Sequence, residues 1–251
     1  MEEFGISTFA ERPELVDYAN EIEAGWPEFT GHDAVCEAFW DQIIPTFPGL
    51  CVVATDAQGA VAARGRAIPF RLHTAERGGK LPDRGWDQVI IWGMADHVRK
   101  EPSDTVSALE IAVDVKWRGH GLSATMLHAL RTAAAGDGFT ELVAPVRPSG
   151  KHERPHVPIA EYVAEARTDG LPVDPWLRVH LRAGGVIDGI APASMVIAGS
   201  LIDWRQWTGL PFDFSGLIEV PGALLPVRCE HANDYAVYVE PNVWVRHDTA
   251  G

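Results

Sequence analysis

Residues 118–123, Arg-Gly-His-Gly-Leu-Ser, are a candidate anion-binding loop. They follow a segment in which Leu109, Ile111 and Val113 alternate with strand periodicity, and they precede a helical stripe of apolar residues. Glycine lets a backbone turn tightly and approach a ligand, and the unpaired N–H groups of a first helical turn lie at its positive end. The loop therefore predicts an anion site, although two glycines before a helix can also form a simple turn.

Two nucleotide-binding patterns fit this loop poorly. It is shorter than a P-loop and lacks the Gly-Lys-Ser/Thr ending, which argues against nucleoside triphosphate hydrolysis. A dinucleotide fold would use Ala124 as its third small residue, but its acidic ribose partner would have to be Glu141, on an unsuitable strand.

Two other motifs resemble a zinc site and a catalytic dyad, but the local sequence disfavours both functions. The string His-Glu-Arg-Pro-His at residues 152–156 matches a zinc-protease pattern, but Pro155 disfavours the helix that would bring both histidines to one face. We therefore predict no metal site. Cys229 and His231 are too close in a strand-like segment to form a catalytic dyad, and no orienting residue is identifiable.

The residues around the loop resemble a known family. Residues 111–114, Ile-Ala-Val-Asp, followed by residues 118–123, resemble the acetyl-CoA motif of the GNAT N-acetyltransferase superfamily, Val-x-x-x-x-Arg/Gln-Gly-x-Gly-x-Ala/Ser. Residues 146–149 are similar to that family's next strand and its exit, and residues 177–185 to its following helix and turn. The resemblance covers roughly residues 30–200.

The resemblance implies an α/β (α+β) fold, with a mixed and mostly antiparallel sheet and helices on both faces. The sheet would be splayed between the strands near Val113 and Leu142, and the pantetheine arm of acetyl-CoA or another acyl-CoA would lie in the gap. It would pair with the backbone of Ile111, Ala112 and Val113. The pyrophosphate would be held by backbone N–H groups of the loop, namely those of Arg118, Gly119, His120, Gly121, Leu122 and Ser123.

Two side chains are candidates for catalysis. Glu110 lies on the strand next to the thioester and would face away from Leu109 and Ile111, so it is the predicted general base. Many family members carry Tyr four residues before the Gly that ends the later helix, and here that position is His180, the predicted acid. The alternatives remain open that Glu110 is an ion-paired carboxylate and that His180 packs against Trp176.

The acceptor is less constrained by the sequence. Family members that acetylate protein N-termini often place Glu before the Val-Arg of the later strand, and here that residue is Pro145, which argues against a peptide N-terminus. We expect transfer of an acetyl or other short acyl group to an amine or hydroxyl of a small molecule. The alternatives are a non-catalytic acyl-CoA-binding protein and an acyltransferase or decarboxylase that uses a carrier-protein thioester.

Local patterns predict the elements that position these residues. Helices are expected at residues 13–24, 33–44, 87–99, 122–135 and 174–183. Strands are expected at residues 50–54, 60–63, 107–113, 140–146, 186–190 and 194–197. We predict one acyltransferase domain at residues 1–206, with an inserted helix at 87–99, a long loop at 148–175, and a C-terminal extension at 207–251 packed on the same domain.

The amino-acid composition limits the classes of partner and the cellular location that we expect. The 251 residues carry a formal net charge of −14, which argues against a nucleic-acid surface because phosphate contacts need clustered cations. The three cysteines are too few and too scattered for a disulfide framework, and no long apolar run or signal segment is present, so a cytoplasmic location without membrane contact is expected. A homodimer is possible.

Overall fold

The computed structural model describes residues 4–23 and 25–250. Within these residues the chain forms seven α-helices and nine strands of a single sheet. The helices are α1 (Val16–Asn20), α2 (Ala34–Thr46), α3 (Gly85–Arg99), α4 (Leu122–Gly136), α5 (Ile159–Ala164), α6 (Pro175–Arg182) and α7 (Leu201–Thr208). The strands are β1 (Gly5–Thr8), β2 (Val52–Thr55), β3 (Val61–Phe70), β4 (Thr105–Val113), β5 (Glu141–Val146), β6 (Val186–Gly199), β7 (Gly216–Ile218), β8 (Val227–Glu230) and β9 (Tyr235–Asp248).

The sheet is mixed and mostly antiparallel. Its order is β1-β2-β3-β4-β5-β9-β8-β7, and β6 pairs with β9 outside this path. Only β4 and β5 pair in parallel among the described strands. The predicted fold class is therefore confirmed.

Strand β9 ties the last part of the chain into the middle of the sheet. It pairs with β5 through residues 243–248, with β6 along most of its length, and with β8 through residues 235–237. The expected boundary at residue 206 therefore does not separate the sheet from a peripheral extension, because residues 235–248 are one of its central strands.

Helices cover both faces of the sheet. The apolar stripe of α4, including Leu122, Met126 and Leu130, packs into a buried cluster on one face, which we call the α4 face. Val89 and Ile90 of α3 pack into a second cluster on the opposite face, which we call the α3 face. Burial of these apolar surfaces holds the two layers against the strands between them.

The first two helices differ from their predicted bounds. Asp33 Oδ1 accepts hydrogen bonds from the amides of Val35 and Cys36, both at 2.9 Å, so it caps the start of α2. Pro45 lies inside the last turn of α2 rather than ending it earlier. The predicted helix at 13–24 is a 3-10 turn followed by the short α1, and its final residue, Ala24, lies outside the described residues.

A bulge in β4 changes which side chains share a face. The register with β3 shifts so that Arg66 is opposite Glu110 and Ala67 is opposite Ala108, which leaves Leu109 without a partner. Leu109 packs into the cluster on the α3 face, the same face on which Glu110 contacts Arg66, whereas Ile111 packs on the α4 face. The expectation that Glu110 faces away from Leu109 is therefore wrong, because strict alternation ends at the bulge.

The inserted helix and the long loop are both present. Helix α3 covers the predicted inserted helix, and residues 148–175 contain a 3-10 turn, α5 and an isolated bridge between Ala166 and Pro172. Among the described helices, none combines the length and the apolar character that a membrane-spanning segment requires.

Candidate active site

Strands β4 and β5 separate to form a gap in the sheet. They pair only at Val106 with Leu142 and at Ser107 with Val143, so they diverge from there toward Val113 and Val146. The edge of β4 that faces β5 is unpaired over residues 108–113. Backbone groups of Ile111, Ala112 and Val113 on this edge can pair with an extended ligand as a strand would.

The predicted anion loop lies between β4 and α4, on the α4 face of this gap. Gly119 and Gly121 have φ values of 82° and 80°, a left-handed conformation that residues with a Cβ rarely adopt. No side chain caps the start of α4, and Ala124 is the first described residue of the helix whose amide bonds back, to Gly121 O at 3.0 Å. The amides that precede it can donate to an anion, whose charge the helix dipole favours.

Side chains in the loop are engaged elsewhere. Nε of Arg118 donates to Val113 O at 3.4 Å, and His120 Nδ1 lies 3.0 Å from Arg118 O. His120 is exposed, as expected for a position where the amide rather than the imidazole matters. The fit to a pyrophosphate therefore depends on backbone groups.

Glu110 lies in a buried ion-pair network at the gap. Its Oε2 accepts from Arg64 Nε at 2.9 Å and from Arg66 Nη1 at 3.1 Å, and its Oε1 accepts from Arg64 Nη2 at 3.0 Å and from Trp26 Nε1 at 3.3 Å. A general base needs a free lone pair, and each oxygen of this carboxylate already accepts two hydrogen bonds. These contacts match the ion-paired alternative, and the role of general base stays a prediction.

Trp26 extends across the gap on the α3 face. On one side its Nε1 donates a hydrogen bond to Glu110 of β4. On the other side the guanidinium of Arg147, a residue just beyond β5, lies 5.8 Å from the centre of the indole ring. The indole is 46% exposed, so it forms a solvent-facing cover between the two strands. Sequence reasoning missed Trp26, since nothing in the local sequence indicates that this loop reaches the gap.

Arg147 is fixed by β9 at the open end of the gap. Its Nε donates to both oxygens of Glu240, at 3.1 and 2.9 Å, and Glu240 Oε2 also accepts from the Tyr238 hydroxyl at 2.8 Å. Glu240 is 1% exposed. The Arg147–Glu240 ion pair joins the end of β5 to β9, and these two strands form one wall of the gap.

Two further buried carboxyls lie on the α3 face near this wall. Asp33 precedes α2 and Asp87 lies in the first turn of α3, and the Val196 amide of β6 favours the ionised form of both. Burial, together with the charge of Asp33, raises the pKa of Asp87 to about 8. No local pattern indicates this pair, since an Asp before or early in a helix is already explained by capping and by the helix dipole.

His180 is not placed to protonate a leaving thiolate. It is 2% exposed, packs edge-on against Trp176 at 4.5 Å between ring centres, and its Nδ1 lies 2.9 Å from His247 Nε2. His247 is opposite Leu142, at the end where β4 and β5 are still paired. Burial, with a contribution from His247, lowers the pKa of His180 to about 3, so it carries no imidazolium proton at neutral pH. This contradicts its predicted role as the acid.

The cations that follow β5 are used within the protein. Lys151 Nζ donates to the carbonyl oxygens of Arg154 and Leu224 at 2.8 and 2.7 Å, and Arg154 pairs with Glu165 at 2.6 Å. These contacts anchor the long loop to the segment between β7 and β8.

Comparisons with known proteins agree with this geometry. The arginine N-acetyltransferase avaD of Aspergillus versicolor is 34% identical over an alignment of 275 positions, gaps included. The alignment covers 97% of this chain and 93% of that protein. Among solved structures, the loading GNATL domain of CurA from Lyngbya majuscula matches 99% of this chain and 98% of its own at a TM-score of 0.62 and 16% identity. The GphF GNAT-like decarboxylase in complex with isobutyryl-CoA matches 98% and 99% at a TM-score of 0.55 and 17% identity. No family model matches the chain.

The gap, the glycine loop and the sheet order define an acyl-CoA-dependent acyltransferase fold. With a relative of this identity over nearly the whole chain, the protein belongs to the GNAT N-acetyltransferase superfamily. Acetyl-CoA or another acyl-CoA is its co-substrate.

Proposed function

We propose that the acceptor is a small amine that carries a second cationic group, and that arginine is the first candidate. The observation that carries this proposal is the 34% identity with an arginine N-acetyltransferase along almost the full length of both chains. The charges on the α3 face support it, because this face presents both buried carboxyls and buried guanidinium groups beside the gap.

The acyl-CoA site follows from the loop and the strand edge. Backbone amides of residues 118–123 bind the pyrophosphate, and residues 111–113 pair with the pantetheine arm along the unpaired edge of β4. A backbone N–H on this edge also donates to the thioester oxygen, which stabilises the negative charge that develops there during attack. The loop lies on the α4 face, so the thioester reaches the gap from that side.

The acceptor approaches from the opposite face. Its nitrogen attacks the thioester carbonyl through the gap, the new N–C bond forms, and the C–S bond breaks. The products are an N-acyl amine and free CoA thiol, and the overall change releases one proton from the acceptor ammonium group. Trp26, Glu110 and Arg147 border this approach.

An α-carboxylate on the acceptor would find a complementary charge. Arg64 and Arg66 share the single carboxylate of Glu110, which leaves one net positive charge in a buried network. Nε of Arg66 has no hydrogen-bond partner among residues 4–23 and 25–250. A buried donor without a partner is costly, and an acceptor carboxylate would satisfy it.

Three related amines test the proposal. Arginine carries both a guanidinium and a carboxylate, agmatine lacks the carboxylate, and citrulline replaces the guanidinium by a neutral group. With acetyl-CoA, we expect release of CoA thiol and the acetylated amine by mass spectrometry, with kcat/KM highest for arginine. Tight CoA binding without product from any amine would instead indicate a non-catalytic binder, and product formed without free CoA would indicate a carrier-protein thioester as donor.

We also propose that the reaction takes place in the cytoplasm. Cys36, Cys51 and Cys229 are all free thiols, and burial raises the pKa of each, which fits a reducing, cytoplasmic environment. The possible homodimer is tested by the mass of the purified protein in solution.

A further inference from the structure

Three carboxyl groups meet on the α3 face of the gap. Asp33 comes from the start of α2, Asp87 from the first turn of α3, and Glu240 from β9, and each is at most 1% exposed. Asp33 and Glu240 both raise the pKa of Asp87, which places them within electrostatic range of it. The fold therefore concentrates negative charge from three distant parts of the chain.

Two members of this group have strong partners and the third does not. Asp33 accepts two backbone amides, and Glu240 is paired with Arg147. Asp87 pairs with Arg84, whose Nη2 lies 3.9 Å from Asp87 Oδ2 and whose side chain is half exposed. Within the described part of the chain, Asp87 Oδ1 has no hydrogen-bond partner.

A buried carboxyl oxygen without a hydrogen-bond partner is unfavourable unless a ligand donates a hydrogen bond to it. Burial and the charge of Asp33 raise the pKa of Asp87 to about 8, while Arg84 lowers it, so the free protein holds a proton there at neutral pH. A cation next to the carboxyl favours its ionised form. Binding of a cationic group is therefore expected to displace this proton to the solvent.

The position of Asp87 matches an acceptor approaching from the α3 face. The adjacent residue, Trp86, donates from Nε1 to Leu109 O at 3.1 Å, which ties the start of α3 to the bulge of β4. The acyl-CoA loop lies on the opposite face. An amine at the gap would therefore have its far end on the side where Asp87 and Asp33 lie.

We propose that Asp87 and Asp33 form a subsite for the guanidinium or second ammonium group of the acceptor, and that this subsite selects amines with a second cationic group over amines without one. A guanidinium offers several N–H donors in a plane, which suits two adjacent carboxyls. The inference rests on the proposed function, since it assumes that an amine acceptor binds at this gap. Glu240 is excluded from direct binding because Arg147 already neutralises it.

The variant Asp87→Asn removes the charge and keeps the shape. The quantity to measure is the ratio of kcat/KM for arginine to kcat/KM for citrulline. We expect Asp87→Asn to lower this ratio about 10- to 100-fold through KM for arginine, as for loss of one charge-assisted hydrogen bond. Asp83→Asn is the matched control, because Asp83 is four residues away and 69% exposed, and it should leave the ratio within about twofold. An equal fall for both amines in Asp87→Asn would overturn the subsite.

A second measurement uses the wild-type protein and does not depend on folding of a variant. Calorimetry of arginine binding at pH 7 in two buffers of different ionisation enthalpy reports the protons released. We expect a larger release with arginine than with citrulline, which has the same α-amino group, and a KM for arginine that falls as the pH rises from 7 to 9. Equal proton release for the two amines would overturn the subsite.

The two proposals fail in different ways. Efficient acetylation of amines that lack a second cationic group, with no preference for arginine over citrulline, would overturn the subsite and leave the acyltransferase intact. Proton-coupled binding of arginine without CoA release from any amine would support the subsite and overturn the proposed function.

Discussion

Replacing Asp87 by asparagine is expected to stabilise the free protein, and the gain should grow with pH. Burial, with the charge of Asp33, raises the pKa of Asp87 to about 8 in the fold, against about 3.9 for an unfolded chain. Between these values the folded protein binds a proton that the unfolded chain has lost, so stability falls as the pH rises. Asparagine has a similar shape and does not titrate, so it removes this dependence.

The size of the effect follows from the two pKa values. Each unit of difference corresponds to about 1.36 kcal/mol, so the variant should gain roughly 3 to 4 kcal/mol over the wild type between pH 5 and pH 8. This is a large part of the ~5–15 kcal/mol that stabilises a typical domain. Burial also raises the pKa of Asp33, although two backbone amides favour its charged form, and the charge of Asp33 in turn raises the pKa of Asp87.

Urea unfolding at several pH values between 5 and 8 measures this difference directly. The free energy of unfolding is determined for the wild type, Asp87→Asn and the exposed control Asp83→Asn under the same conditions. The control should follow the wild type at every pH. A difference between wild type and Asp87→Asn that stays constant from pH 5 to pH 8 would contradict this prediction, because it would show that Asp87 is ionised throughout.

Three further substitutions test the rest of the site. Glu110→Gln should destabilise the protein by about 3–5 kcal/mol in urea unfolding, because Arg64 and Arg66 lose their buried counter-charge. If the folded variant instead keeps its stability and loses kcat 10²- to 10⁴-fold in stopped assays, Glu110 acts as the general base. Gly121→Ala should weaken acetyl-CoA binding in calorimetry and destabilise by about 1–2 kcal/mol, because φ is 80° there; Gly136→Ala, where added bulk meets nothing, is the control. His180→Phe should leave kcat within about tenfold and its pH profile unchanged between pH 6 and 9, whereas loss of a general acid would lower kcat by about 10²-fold or more.

The elements around the proposed acyl-CoA site could be predicted because their signal is local. The alternation in β4, two glycines and the stripe of α4 follow one another within residues 105–136, and each reports its own conformation. The bulge at Leu109 could not be predicted in this way. It arises from pairing with Arg66 and Ala67 of β3, so it depends on a partner strand that the local pattern does not contain.

The proposed acceptor subsite could not be predicted because its residues come together only in the folded chain. Asp33, Asp87 and Glu240 come from widely separated segments, and each has an ordinary local explanation as a cap, a helix start or a strand residue. His180 shows the opposite error. Its position in the helix matches a family pattern, but burial against Trp176 and His247 decides its protonation.

Strand β9 also has a consequence for how the chain folds during synthesis. Until residues 235–248 have left the ribosome, β5 lacks its antiparallel neighbour, and β6 has no partner in the sheet. The growing chain would then expose two unpaired strand edges, which are templates for aggregation. Because these contacts join segments that are far apart along the chain, their formation is expected to be slow. We therefore expect nascent chains truncated before residue 235 to need a chaperone, and the wall that carries Glu240 to be the last part of the catalytic gap to form.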